Sequence, residues 1–306
     1  MSKAVINNQF FSKLNTVKYA SFQAASKAKG LRGFALQRFR NRFLWEHYYK
    51  RLGKPKVRNG LFEAQKSTKE AIINRFKTLG VQPEQLTLSK TDYESYMQQA
   101  DYSSYHTGVL AEKSLEHFVA AKLLGLNKKD VYIDIASAQS PVPSIYSKLY
   151  GCKVYRQDLI YPAGLHGNVI GGDACSLPLP DGFASKMALH CSFEHFEGNA
   201  DSRFIREAER VLAKDGLLCI LPLYLSERFG VVTNPVNVPK GMRFDDGALL
   251  YCDRRYPARH GRFYSPEQFV KRVLSVSGLK PHLYVVTNEK EIDASCYLQF
   301  AVLFKK

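Results

Sequence analysis

The sequence predicts an α/β fold from about residue 104 to residue 306, with helices on both faces of a mostly parallel sheet. Short runs of apolar, β-branched residues alternate there with segments whose apolar residues recur at helical spacing. A strand, helix, strand rhythm of this kind is typical of parallel sheets. The 306-residue chain is long enough for one large domain and a substantial extension.

The strands and helices follow from these patterns in chain order. Strands are expected at 131–136, 153–157, 184–192, 217–223, 282–287 and 296–304, and helices at 61–79, 107–126, 141–150, 201–213 and 265–278. The last helix has Ser265 as its N-cap and Pro266 at its first position. Residues 226–264 show no clear period and are expected to form an irregular insertion on the substrate side of the sheet.

The N-terminal third differs in charge. Residues 1–103 are expected to form a basic, mostly helical extension, and residues 1–58 hold 14 Lys/Arg and one acid, a net charge of +13. The rest of the chain carries 30 basic against 27 acidic residues, a net charge of +3. Four interpretations stay open: contact with an anionic membrane surface through residues 27–58, RNA binding, an organelle transit segment, or an extension that packs its aromatic side chains on the core.

Composition excludes several classes. No run approaches the roughly 18 apolar residues of a membrane span, and no apolar core of a secretory signal is visible. We therefore expect a cytoplasmic protein, peripheral to the inner face of a membrane if the basic segment binds lipid. The six cysteines form no C-x-x-C pair, so neither a disulfide framework nor a metal site is predicted.

Three acids follow three predicted strands or the loop beyond them. Ligands of open α/β sheets bind at the carboxyl ends of the strands, where Asp134 and Asp158 lie 24 residues apart. Asp158 could accept two hydrogen bonds from a ribose diol, and Asp173, followed by Ala174, could accept one from an adenine amino group. Acids in these places suit a neutral or cationic nucleoside better than a phosphate.

A longer motif supports this interpretation. The stretch from residue 172 to residue 216 resembles the class I S-adenosylmethionine-dependent methyltransferases, in particular quinone-biosynthesis and small-molecule enzymes. The matching residues are Asp173, Leu177, Pro178, Pro180, Asp181, Glu194, His195, Arg206, Glu207, Arg210, Val211, Leu212 and Gly216. The resemblance extends over residues 107–306 and implies a Rossmann-like, seven-stranded sheet. It also implies S-adenosylmethionine, a sulfonium without phosphates, as the cofactor.

The resemblance assigns site residues. It places the cofactor on Asp134, Ala136, Ala138, Asp158, Asp173, Ala174 and Ser192. The family's glycine-rich turn is replaced here by residues 134–140, which contain no glycine. His195 is the candidate general base; in the alternative interpretation it only satisfies backbone carbonyls.

These observations predict transfer of a methyl group from S-adenosylmethionine to a small-molecule or lipid- or sugar-linked acceptor. The arginines of residues 226–264 favour an anionic acceptor. The alternative, suggested by the missing glycines, is a catalytically inactive protein of the same fold that acts as a binding or scaffold module through its basic segment. A nicotinamide dehydrogenase is disfavoured, because no G-x-G-x-x-G follows any strand.

Overall fold

The computed structural model describes residues 58–59, 68–105, 107–233, 244–252, 256 and 258–306. Except for Arg58, the basic segment and the interpretations attached to it lie outside these residues. Within the described part, no helix is both long and apolar enough to cross a membrane.

Thirteen strands occur in the described residues. They are β1 (Arg58–Asn59), β2 (Glu84–Leu86), β3 (Val131–Ile135), β4 (Lys153–Asp158), β5 (Gly164–His166), β6 (Val169–Gly171), β7 (Ala184–His190), β8 (Leu212–Leu221), β9 (Gly230–Thr233), β10 (Leu249–Cys252), β11 (Gly261–Phe263), β12 (Lys280–Val286) and β13 (Phe300–Lys305).

The central sheet has the strand order β2-β12-β13-β8-β7-β3-β4-β6-β5. Strands β8, β7, β3, β4 and β6 run parallel, whereas β13 is antiparallel to both of its neighbours. A core of seven strands, from β12 to β6, is thus extended by the three-residue strands β2 and β5 at its two edges. The predicted α/β fold is confirmed.

Helices cover both faces of this sheet. They are α1 (Lys69–Thr78), α2 (Lys90–Gln99), α3 (Leu110–Leu124), α4 (Val142–Tyr150), α5 (Ala200–Val211), α6 (Pro266–Phe269, continued by a π-helical turn Val270–Leu274) and α7 (Glu289–Ile292). One apolar core lies between the sheet and α1, α5 and α6, and a second lies between the sheet and α2, α3 and α4. The Ser265 hydroxyl caps α6 by accepting from the Gln268 amide, as expected.

The predicted boundary between the helix at 201–213 and the strand at 217–223 lies elsewhere in the structure. The helix expected at 201–213 ends at Val211, because Leu212 already pairs with Ala184 in the sheet. Strand β8 then bulges before Leu217 pairs with Lys186, and Asp215 in the bulge has a left-handed backbone (φ 61°). The bulge adds extra residues to β8, and the alternating pattern that predicts strands in a sequence does not reveal them.

The insertion is more regular than expected. Instead of an irregular segment, residues 226–264 contribute β9, β10 and β11 to a second sheet with the order β1-β10-β9-β11. These strands are only three or four residues long and pair across gaps in the sequence, so no local period marks them.

The last part of the predicted extension packs on the α/β domain. Strand β2 pairs with β12, and the Phe76 ring of α1 meets the Phe269 ring edge-on at 6.1 Å. The boundary placed between residues 103 and 104 stays a prediction.

Candidate active site

The turn after β3 adopts a glycine-like backbone conformation, although residues 136–140 contain no glycine. Ala136 and Ala138 have φ values of 53° and 42°, in the left-handed region that favours glycine. Two adjacent residues of β4 hold this conformation. The Gln157 side chain accepts from the Ala136 amide at 3.1 Å, and Asp158 accepts from the Ala138 amide at 2.8 Å. The turn therefore lines the adjoining space instead of filling it.

A first cavity opens at the carboxyl ends of β4 and β7. Its volume is about 500 Å³, within the range of small-molecule pockets. The lining residues are Ala136, Gln157, Asp158, Leu159, Asp173, Ala174, His195, Phe196, Glu197, Ala200, Ala258, Arg259 and His260. Five residues predicted for the site lie among them.

A second cavity adjoins the first along Ala136 and has a volume of about 360 Å³. Its lining residues are Tyr105, Lys113, His117, Asp134, Ile135, Ala136, Ser137, Ala138, Gln139, Ser140, His190, Cys191 and Ser192. Every residue that the sequence suggested for the site therefore lines one of the two cavities. Their individual roles stay predictions.

Two of the acids that line the first cavity, Asp158 and Asp173, retain free acceptor capacity. Asp158 accepts from the Ala138 and Ile160 amides, at 2.8 and 3.1 Å. Asp173 accepts from the Cys175 amide at 2.9 Å and lies 3.3 Å from an Arg203 nitrogen. Because two carboxylate oxygens offer about four lone-pair sites, both acids can accept further bonds from a ligand.

The second cavity contains buried polar atoms that accept no bond within the described part of the chain. They are one carboxylate oxygen of Asp134, the hydroxyls of Ser137 and Ser192, and Nδ1 of His190. Asp134 is 1% exposed, and burial raises the pKa of its carboxyl to about 7. Unsatisfied buried groups are costly in a folded protein, so this arrangement fits a polar ligand.

Two neutral histidines form the back wall of the second cavity. Burial lowers the pKa of His190 to about 3 and that of His117 well below its usual value. Their rings meet edge-on at 4.9 Å, and His117 Nδ1 lies 2.9 Å from the Tyr102 hydroxyl. The cation of this cavity is Lys113, which lies 2.8 Å from Glu116.

Sequence analysis missed Lys113, His117 and Gln157. A usable signal existed: Lys113, Glu116 and His117 are polar residues at helical spacing on α3. Gln157 is a polar residue that is 1% exposed in a strand.

The carboxyl end of β7 continues into a single 3-10 turn, Phe193–His195. Glu194 is buried, whereas the His195 side chain is 41% exposed and reaches the first cavity. His195 Nδ1 lies 2.5 Å from the His260 carbonyl oxygen, and Nε2 lies 3.5 Å from Glu194 Oε1. The ring is thus fixed between the turn and the insertion.

Comparison with known proteins finds a family match that covers part of this site. Residues 149–220, which contain β4 to most of β8, match the family model of a methyltransferase domain. This segment of the chain is similar to a methyltransferase domain. No curated protein sequence matches the chain significantly.

Solved structures similar to this chain include several methyltransferases. The 1,6-didemethyltoxoflavin-N1-methyltransferase of Burkholderia thailandensis is 15% identical over 74% of this chain and 94% of its own (TM-score 0.42). A SAM-dependent methyltransferase from Aquifex aeolicus is 16% identical over 70% and 98% (TM-score 0.39). The geranyl diphosphate C-methyltransferase of Streptomyces coelicolor A3(2) is 11% identical over 63% and 75% (TM-score 0.40).

In its described part, the insertion (residues 226–264) offers no free arginine. Arg259 forms two bonds to Glu197, and Arg262 is buried between Asp201 and Asp245. Arg243, Arg254 and Arg255 lie outside the described residues. An anionic acceptor, expected from these arginines, is therefore not supported.

No group of three or more His, Cys, Asp or Glu residues in the described ranges could hold a metal ion.

Proposed function

We propose that the chain is an S-adenosylmethionine-dependent methyltransferase that acts on a small-molecule acceptor. The observation that carries this proposal is the pair of adjoining cavities at the carboxyl ends of β3, β4 and β7. They share Ala136 and are lined by Asp134, Asp158 and Asp173. Asp158 and Asp173 lie in the segment that matches a methyltransferase domain.

The first cavity suits the nucleoside. Asp158 lies at the end of β4, where a carboxylate can accept from both ribose hydroxyls. Asp173 and Ala174 would hold the adenine edge. The side chain of Leu159, which is 74% exposed and borders this cavity, offers an apolar surface to the base.

The second cavity suits the amino-acid part of the cofactor. The free oxygen of Asp134 would accept from the ammonium group, and the Ser137 hydroxyl would donate to the carboxylate. Lys113, which is paired with Glu116, also borders this cavity. The buried histidines are neutral and add no competing charge.

When bound, the cofactor supplies an electrophilic methyl group on a sulfonium. The chain contributes alignment of the acceptor with that group and a base for acceptors that must lose a proton. We assign this second role to His195 Nε2, because the ring is held through Nδ1 and borders the first cavity.

The charge of the acceptor can be inferred from the arginines of the insertion and their carboxylate partners. Arg259 and Arg262 are neutralised by carboxylates, so the described walls favour an uncharged small molecule over an anion. A lipid- or sugar-linked acceptor would need its anionic group to lie outside this region. The inactive alternative is not favoured, because residues 136–140 line the cavities and leave them open.

Isothermal titration with S-adenosylmethionine tests the proposal. The wild type should bind it stoichiometrically, and Asp158→Ala should weaken binding about tenfold or more, because the carboxylate holds both the ligand and the turn. Asp181→Ala is the matched control: Asp181 is an exposed acid paired with Arg210 and borders neither cavity. Absence of both heat and thermal stabilisation in the wild type would refute the proposal.

A further inference from the structure

The carboxylate of Glu194 lies between the two cavities. Glu194 Oε1 is 3.4 Å from Cys191 Sγ, which lines the second cavity, and 3.5 Å from His195 Nε2, which lines the first. The side chain is 6% exposed. Glu194 itself borders neither cavity, but these contacts place its carboxylate directly behind one lining residue of each.

Glu194 lacks the cation that neighbouring buried acids have. Glu116 is paired with Lys113, and Asp201 and Asp245 are paired with Arg262. Within the described ranges, no Lys or Arg lies within 4.0 Å of Glu194, and its Oε2 accepts no hydrogen bond. A buried carboxylate without a fixed counter-charge is costly, so a cationic ligand is its natural partner.

We propose that Glu194 determines cofactor specificity by favouring the cationic cofactor over its neutral thioether product. This inference rests on the proposed function. The sulfonium links the ribose, in the first cavity, to the amino-acid chain, in the second, and so would lie near Ala136, which both cavities share, within electrostatic reach of the Glu194 carboxylate behind the wall. Methyl transfer removes the positive charge, which ends the attraction and favours release of S-adenosylhomocysteine.

The other acids of the site do not distinguish S-adenosylmethionine from S-adenosylhomocysteine. Asp158 and Asp173 face the nucleoside, which is identical in the two ligands. Asp134 faces the ammonium, which both ligands also carry. Only a charge at the junction distinguishes them, because the sulfonium is the one group whose charge differs.

Calorimetry with S-adenosylmethionine and S-adenosylhomocysteine tests the proposal without any acceptor. In the wild type, S-adenosylmethionine should bind about tenfold or more tightly than S-adenosylhomocysteine, as expected for one poorly screened charge pair. In Glu194→Gln, which keeps the shape, the affinity for S-adenosylmethionine should fall until the ratio approaches one. The affinity for S-adenosylhomocysteine should change by less than about twofold.

Glu197→Gln is the matched control. Glu197 lines the first cavity directly, but Arg259 neutralises it, so the affinity ratio should stay at its wild-type value.

Two results would overturn the inference while leaving the proposed function intact. One is that the wild type binds S-adenosylmethionine and S-adenosylhomocysteine with equal affinity, a test that needs no variant to fold. The other is that the ratio of these two affinities in Glu194→Gln is the same as in the wild type. If the wild type binds neither ligand, the proposed function fails together with this inference.

Discussion

His195 Nδ1 lies 2.5 Å from the carbonyl oxygen of His260, while His260 Nδ1 lies 3.1 Å from the carbonyl oxygen of Glu194. A carbonyl oxygen only accepts, so each Nδ1 must carry a proton. The turn after β7 and the insertion thus hold each other by reciprocal bonds. In its neutral form, His195 consequently presents a bare Nε2, the nitrogen that a general base needs.

This tautomer can be measured. Nitrogen-15 NMR above neutral pH should show His195 with a protonated Nδ1 and a pyridine-like Nε2. His166 is an internal control with the opposite expectation, because its Nε2 donates to the Ala163 carbonyl at 2.9 Å. A protonated Nε2 on neutral His195 would contradict both the bond to His260 and the base role.

Glycine at the alanine positions of the turn should stabilise the protein. Left-handed backbone costs a non-glycine residue about 1–2 kcal/mol, more than the roughly 0.5–1 kcal/mol of extra entropy that glycine loses on folding. We expect Ala136→Gly and Ala138→Gly each to raise the free energy of unfolding by up to about 1 kcal/mol in urea titrations. Tighter binding of S-adenosylmethionine should accompany this change, because a methyl group leaves the cavity wall.

Ala120→Gly, in the middle of α3, is the control for these variants and should destabilise the protein. If the two turn variants lose stability as Ala120→Gly does, the left-handed conformation of the turn is wrong.

The sequence predicted the site where the chain's topology alone brings residues together. Asp134 and Asp158 end adjacent parallel strands, so the strand pattern was enough to place them at one edge of the sheet. Lys113 and His117 come from a helix that packs on one face of the sheet, and only tertiary packing turns them toward the cavity. The second sheet was missed for a related reason, because its strands are short and pair non-locally.

The insertion is fixed to the domain by a buried ion cluster. Arg262 and Asp201 are fully buried, and Arg262 also bonds both oxygens of Asp245. Burial alone would raise the pKa of Asp245, but His260 and the bonded Arg262 guanidinium beside it lower it to about 2. Arg262→Met leaves buried acids short of a counter-charge and should cost about 3–5 kcal/mol of stability in urea titrations.

A surface ion pair provides the comparison. Arg75 and Glu267 are paired but remain 54% and 40% exposed, so Arg75→Met should change the free energy of unfolding by less than about 1 kcal/mol. Equal effects of the two substitutions would show that Arg262 is not buried as described.

Asp134 should make the ligand-free protein less stable as pH rises. Its folded pKa of about 7 exceeds the unfolded value of about 3.9, so the folded state binds the proton more tightly. The resulting stability is lost as pH rises between these two values. Asp134→Asn should therefore melt at a higher temperature than the wild type at about pH 8, with a smaller difference at about pH 5.

Asp181→Asn serves as the reference variant, since Asp181 is an exposed acid in a surface ion pair and its substitution should change the stability by less than about 1 kcal/mol. A gap between Asp134→Asn and the wild type that stays constant with pH would contradict the elevated pKa.

A crystal structure with bound S-adenosylhomocysteine tests most directly whether the two cavities form one cofactor site. The account predicts density that runs from the nucleoside beside Asp158 and Asp173, past Ala136, to an amino-acid group beside Asp134. Density confined to one cavity, or a turn at residues 136–140 collapsed across the junction, would contradict it.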